Sequence, residues 1–175
     1  MIAFNHHGQT CFSTERTYAM ESDVAKFIEL LTHDINIVDS GYAVSIRTAD
    51  AAVAMLTEAE QKGAAFHVGG PSYQDKESAR LQPSIITGVT SDRRLFDEES
   101  FSPSVSVFAV KDEEEAIKLV NASVYGLVAA VHTKDMYRGL QVVRRLEVGV
   151  AHINGMTTYD ESEYPIHLQY VDYCF

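Results

Sequence analysis

An α/β fold with a mainly parallel sheet follows from three features of the sequence. In the second half, short β-branched runs alternate with amphipathic segments of helical period. The run from Leu127 to His132 is nearly all apolar, as in a strand buried on both faces. Capping residues and glycines punctuate these segments at spacings that suit βαβ units.

The elements can be justified in order. A first helix is expected from about Glu21 to His33, because Val24, Phe27, Ile28 and Leu31 fall on one face. Ser22 is its expected N-cap. A second helix is expected from about Asp50 to Lys62, with Thr48 before it and Gly63 at the position of a C′ glycine. Ala64 to Val68 reads as a short strand closed by Gly69-Gly70-Pro71, and Ser84 to Val89 as another after Pro83. Val105 to Val110 is a strand. Asp112 then opens a helix, with Glu115 three residues on, and Ala116, Ile117 and Val120 supply its apolar face. Gly126 ends the turn before the strand of Leu127 to His132. Met136 to Leu146 forms a helix with Arg144 and Arg145 in its last turn, where cations suit the helix dipole. Gly149 closes it, and Val150 to Ile153 is the last strand.

A chain of 175 residues and 19.4 kDa suits one domain, taken as residues 1–175 with a divergent tail from about 165. Its hydrophobic fraction of 46% is enough for a core and excludes wholesale disorder. The net charge of -11 repels phosphate backbones, so no nucleic-acid partner is expected. No window approaches the roughly 18 apolar residues of a membrane span. The start, Met1 to His7, lacks the basic flank and apolar core of a signal peptide, so the expected location is cytoplasmic. Cys11 and Cys174 then read as free thiols. No His/Cys/Asp cluster has the spacing of a metal site.

Several blocks carry chemistry. Gly8-Gln9-Thr10-Cys11-Phe12-Ser13-Thr14-Glu15-Arg16 sets a cysteine in a short polar loop. Glu98-Glu99-Ser100-Phe101-Ser102-Pro103 joins carboxylates to an aromatic ring. Further along stand Lys62-Gly63-Ala64, Gly69-Gly70, Leu81-Gln82-Pro83, Asp112 to Ile117 through Asn121 to Tyr125-Gly126-Leu127, and Gly149 to Gly155. In order and spacing these blocks resemble the aldehyde dehydrogenase family, in particular its salicylaldehyde- and vanillin-type members. The resemblance runs from about residue 4 to 164. It implies a single Rossmann-like catalytic domain, the thiol-bearing part of the family fold. The stretch that precedes the cysteine in the family carries the NAD(P) domain, an oxyanion-hole asparagine and a general-base glutamate, and it does not occur in these 175 residues. His6 stands where the family has Asn, and Ser102 where it has Gly. After Tyr164-Pro165 the family pattern gives way to Ile166-His167-Leu168-Gln169-Tyr170. A truncated relative is therefore expected, with no cofactor.

The resemblance makes Cys11 the nucleophile, since a thiolate attacks carbonyls. It implies a short helix starting at Cys11, whose N–H groups would favour the thiolate and an oxyanion. His6 and His7 are candidate bases for the thiol proton. Glu99 and Phe101 match positions that hold the nicotinamide ribose and stack near the ring, vestigial without a cofactor domain; Glu99 is also a candidate acid–base group. Asn154, after a strand, is a candidate substrate contact, with Met156 to Glu163 nearby. The thiol loop is expected to face strand ends near Glu99 and Asn154, because α/β sites gather at carboxyl ends. Plainer readings stand beside these: an inert thiol, solvated histidines, loop residues kept for packing. The tail carries Tyr164, Tyr170, Tyr173 and Phe175, which suits burial against a surface or an interface.

Three functions follow. The first is a cofactor-independent enzyme acting on an aldehyde, thioester or other activated carbonyl in a biosynthetic pathway. The second is an aldehyde oxidoreductase remnant that needs a separate NAD-binding chain. The third is a non-catalytic binding or assembly protein. A small-molecule carbonyl substrate and a homodimer or higher homo-oligomer are the expected partners.

Overall fold

The computed structural model describes residues 2–35 and 39–157. The expectations for Tyr164, Tyr170, Tyr173, Cys174 and Phe175 lie outside the described residues. Two compact units divide at Val110 and Lys111.

The first unit holds a four-stranded sheet. Its strands are β1 (Arg16–Met20), β2 (Ala65–Val68), β5 (Ser84–Thr87) and β6 (Ser104–Val110), with a small antiparallel ribbon of β3 (Tyr73–Asp75) and β4 (Arg80–Leu81) set apart. The spatial order is β1-β6-β5-β2. β6 is parallel to both neighbours, and β2 is an antiparallel edge. The sheet is covered on both faces. Helix α1 (Val24–Ile35) packs Val24, Phe27, Ile28 and Leu31 against Ile85, Val105 and Val107. Helix α2 (Ile46–Gln61) packs Met55, Leu56 and Ala59 against the opposite face at Ile86. The neighbours Ile85 and Ile86 thus serve different layers, which is the period-2 alternation of a strand buried on both sides. A single-turn helix α3 (Arg94–Asp97) adds Leu95 to the second cluster.

Helix ends differ from the sequence expectation by a turn. Helix α1 starts at Val24, beyond Ser22. Helix α2 starts at Ile46, and Ser45 is the cap: its hydroxyl accepts from the Thr48 N–H at 3.2 Å. Thr48 therefore lies inside the first turn. At the other end Gly63 adopts φ +93°, as a C′ residue should. Strands β1, β3 and β4 go beyond the sequence expectation. Arg16-Thr17-Tyr18-Ala19-Met20 has no period-2 pattern, since all five residues are half-buried.

The second unit holds α4 (Glu113–Asn121), β7 (Val128–Val131), α5 (Met136–Val143) and β8 (Val150–Ile153), with β7 and β8 parallel. Asp112 caps α4 by accepting from the Glu115 N–H at 2.9 Å, and the Glu115 carboxylate accepts from the Lys111 N–H at 2.8 Å. Glu113 pairs with Arg138 at 2.6 Å and Glu114 with Arg145 at 2.5 Å. The acidic run Asp112 to Glu115 is thus occupied with capping and with joining α4 to α5. No helix among the described residues is long and apolar enough to cross a membrane.

Candidate active site

The thiol loop lies between a broken 3-10 segment, Ile2–Gly8, and β1. His6, His7 and Gly8 follow one another at φ 49°, 63° and 72°. Gly8 takes this conformation freely, but for His6 and His7 it is costly unless packing holds them, and such strain collects at functional sites. Cys11 is exposed and free. It sits in a turn closed by the Ser13 N–H on the Thr10 carbonyl at 2.8 Å. The helix that the resemblance placed at Cys11 is not formed, so no helix dipole acts on the thiol. A chain turned by left-handed residues and led straight into a strand leaves no room for one.

Both ends of this loop are pinned to one segment. At the near end, Gly8 presses on Ser102: a Cβ there would stand 2.0 Å from the Ser102 carbonyl oxygen. At the far end, the Glu15 carboxylate accepts from the Ser100 N–H at 3.0 Å, the Phe101 N–H at 3.0 Å and the Ser100 hydroxyl at 3.1 Å. Arg16 reaches on to the Phe96 carbonyl at 3.3 Å and to Asp97 at 3.1 Å. Phe101 is held at φ 44°. The loop therefore straddles the segment that carries Glu99 and Phe101. That segment leads into β6 as the thiol loop leads into β1, and the two strands are parallel. Cys11 and Glu99 consequently sit at the amino ends of their strands. This corrects the expectation of carboxyl ends for Cys11 and Glu99, whereas Asn154, in the second unit, does follow the carboxyl end of β8.

Electrostatics follow burial. Desolvation raises the Glu15 pKa against its three hydrogen bonds and the Arg16 cation. Half-buried Glu99 is also pushed up, by burial first and then by the charge of Glu15, with Arg16 opposing. Gln9, in the same loop, uses its whole amide. It donates to the His6 and Tyr42 carbonyls, both at 2.9 Å, and accepts from the Val44 N–H at 2.7 Å.

The two histidines part company. His6 is exposed, like Cys11. His7 is wholly buried, and neither ring nitrogen has a hydrogen-bond partner. It makes no bond to the Cys11 thiol. Burial lowers its pKa; the Gly41 backbone, close to the ring but outside hydrogen-bond geometry, opposes this, and the Arg80 cation adds a smaller lowering. The folded-state value is thus below that of the unfolded chain, near 6.5. As pH falls through about 6.5 the unfolded chain takes up the proton first, so the His7 contribution to stability is lost on acidification. His7→Leu is expected to raise stability by about 1 kcal/mol near neutral pH, since it removes two unpartnered buried nitrogens. The gain should grow toward about pH 5. Urea unfolding at the two pH values checks this; an equal or smaller gain in acid would contradict it.

Asn154 belongs to the second unit, at φ 56° just after β8. Its amide is committed there: it donates to the Thr133 carbonyl and accepts from the Thr133 N–H, both at 2.8 Å. No group of three metal-ligating side chains occurs among the described residues. Sequence reasoning missed Glu15 and Gln9. The available signal was their polarity in a loop that feeds a sheet.

The class these features define is an α/β protein that displays a cysteine thiol on a loop pinned at the amino ends of strands in a mainly parallel sheet. The chain belongs to the aldehyde dehydrogenase family, whose family model matches residues 1–167. It is 34% identical over 173 residues to vanillin dehydrogenase of Pseudomonas fluorescens, covering 93% of this chain and 35% of that protein. It is 35% identical over 177 residues to salicylaldehyde dehydrogenase of Pseudomonas putida, again covering 93% and 35%. Among solved structures it resembles betaine aldehyde dehydrogenase of Staphylococcus aureus in complex with NAD+, with TM-score 0.84 and 28% identity over 90% of this chain and 34% of that one. It likewise resembles NADP-dependent glyceraldehyde-3-phosphate dehydrogenase of Bacillus halodurans complexed with NADP, with TM-score 0.83 and 27% identity over 93% and 35%. The chain spans about a third of the length of the relatives it matches.

Proposed function

We propose that the chain acts on aldehydes, or on related activated carbonyls, through Cys11, in a step that needs no cofactor. The observation that carries this is the exposed thiol on a loop pinned at both ends. In that step the sulfur bonds to the carbonyl carbon, the C=O double bond becomes single, and the oxygen takes up the proton the thiol gives up. The product is a thiohemiacetal, and nothing is oxidised or reduced. The exposed His6, and not the buried His7, is the candidate to carry the proton. The similarity to vanillin and salicylaldehyde dehydrogenases favours aromatic aldehydes as the substrate class. The reading places this step in a biosynthetic pathway and includes self-association, which the exposed Tyr42, Val44 and Ile46 support.

A second reading, oxidation with NAD(P) presented by another chain or domain, is favoured by the care with which Glu99 and Phe101 are held. A half-buried carboxylate and ring fit sugar hydroxyls and a flat heterocycle. For the diphosphate the sequence has no Gly-x-Gly-x-x-Gly loop. These residues would hold only the nicotinamide-ribose end, where the cofactor would supply a hydride acceptor.

The test is carbon-13 NMR of the Cys174→Ala protein with a carbonyl-labelled aromatic aldehyde. A protein-bound tetrahedral carbon is expected, and prior alkylation of Cys11 should abolish it. No such signal, or one that survives alkylation, would overturn the reading.

A further inference from the structure

We propose that Glu15 is a positioning residue: its carboxylate clamps the Glu99–Phe101 segment onto the loop that carries Cys11. As a statement about reaction it rests on the function proposed above; as a statement about structure it does not.

Glu15 is the last loop residue before β1, and its backbone carbonyl already accepts from the Ser106 N–H at 2.8 Å. The backbone is thus fixed in the sheet, and the side chain is free to serve the neighbouring loop. An ionised carboxylate only accepts hydrogen bonds, and three donors converge on this one. That sets the direction of a buried hydroxyl chain. Ser100 gives its proton to Glu15, so its oxygen must accept, from the Ser102 hydroxyl at 2.9 Å and the Ser102 N–H at 3.3 Å. Ser102 in turn accepts from Ser104, also at 2.9 Å. These three serines are buried, at 7%, 1% and 4% exposure, so water cannot replace the missing partner. The carboxylate therefore orders everything from Phe101, at its strained φ of 44°, to the first residue of β6. The charged groups that face Glu15 are Arg16, which favours its ionised form, and Glu99, which is itself disfavoured by the charge of Glu15. An apolar residue here would leave the Ser100 N–H, the Phe101 N–H and the Ser100 hydroxyl without their acceptor. The three bonds of the carboxylate fix the loop on which Glu99 and Phe101 stand.

Glu15→Gln keeps the shape and one neutral, weaker acceptor oxygen, but removes the charge and sets an amide N–H₂ in place of the second carboxylate oxygen, which the Ser100 N–H also meets at 3.1 Å. The experiment is amide hydrogen exchange on this variant, together with the rate at which Cys11 forms its adduct with the labelled aldehyde. The Ser100 and Phe101 amides should exchange at least about tenfold faster, while Ile85 and Ile86 in the central strand stay as they were. Adduct formation should slow by a similar factor. Uniform acceleration at all four amides would mean general destabilisation and would overturn the proposal, as would no change at Ser100 and Phe101. Faster local exchange with an unaltered adduct rate would overturn the positioning role. If the wild-type protein forms no adduct, the proposed function fails and the exchange result alone decides the clamp. Glu15→Asp, which keeps the charge but falls one methylene short, should give the same local pattern more weakly and serves if the glutamine variant does not fold.

Discussion

Replacing Cys11 by serine is expected to lower carbonyl adduct formation by roughly 10³-fold or more, with the fold intact. The sulfur is the better nucleophile because a useful fraction of thiols ionise near neutral pH, whereas a serine hydroxyl needs a strong base beside it. No such base is bonded here: His7 is buried without partners, and His6 is exposed. The side chain is itself exposed, so the swap should leave stability within about 0.5 kcal/mol of wild type. Circular dichroism and urea unfolding check the second point, and the NMR signal of the tetrahedral carbon checks the first. A change within about tenfold would make Cys11 a bystander and leave orientation or acid–base work by Glu99 and His6 as the remaining chemistry.

Burial explains which parts of this molecule could be read from its sequence. The face of Val24, Phe27, Ile28 and Leu31 was legible because all four side chains meet one cluster, and a single-sided contact leaves a single period. Leu127 to Val131 was legible as a strand from its continuous apolar run, and it pairs in parallel with Val150 to Ile153, but the residues of both strands are half-buried, not buried on both faces as expected. Strand β1 left no such trace. It mixes Arg16 and Thr17 with Tyr18, Ala19 and Met20, so it shows neither a clean alternation nor a continuous apolar run. At the site, the family resemblance marked Cys11, Glu99 and Phe101, but the contacts that join their segments are made by bonds across some 85 residues of sequence. Spacing along the chain carries no sign of such a bond. Nor could it show that His7 turns inward while His6 faces solvent, because that depends on a left-handed backbone which neither residue type announces. The expectation of a site at carboxyl strand ends took a rule for ligands in open sheets and applied it to a loop that enters its strand from the other side.

Gly8→Ala should be the most damaging single methyl group in the thiol loop, at about 3–5 kcal/mol of stability. Two penalties combine. The backbone is at φ +72°, where a Cβ costs about 1 kcal/mol or more. The added carbon would also fall 2.0 Å from the Ser102 carbonyl oxygen, 2.6 Å from its carbon and 3.2 Å from the Ala3 carbonyl oxygen. All three are backbone atoms, so no side chain can rotate away, and either the thiol loop or the Ser102 segment must move. Gly63→Ala separates the penalties. Gly63 sits at φ +93° with nothing within 4 Å of the place its methyl would take, so only the conformational cost of about 1 kcal/mol should appear. Urea midpoints of the two variants measure the difference directly. The same clash predicts that Gly8→Ala loses the Cys11 adduct even where the protein is still folded, because the near pin is broken while Glu15 still holds the far one. Equal destabilisation by the two alanines would show that the Gly8 contact with Ser102 is not tight. A folded Gly8→Ala protein with a normal adduct rate would show that one pin is enough.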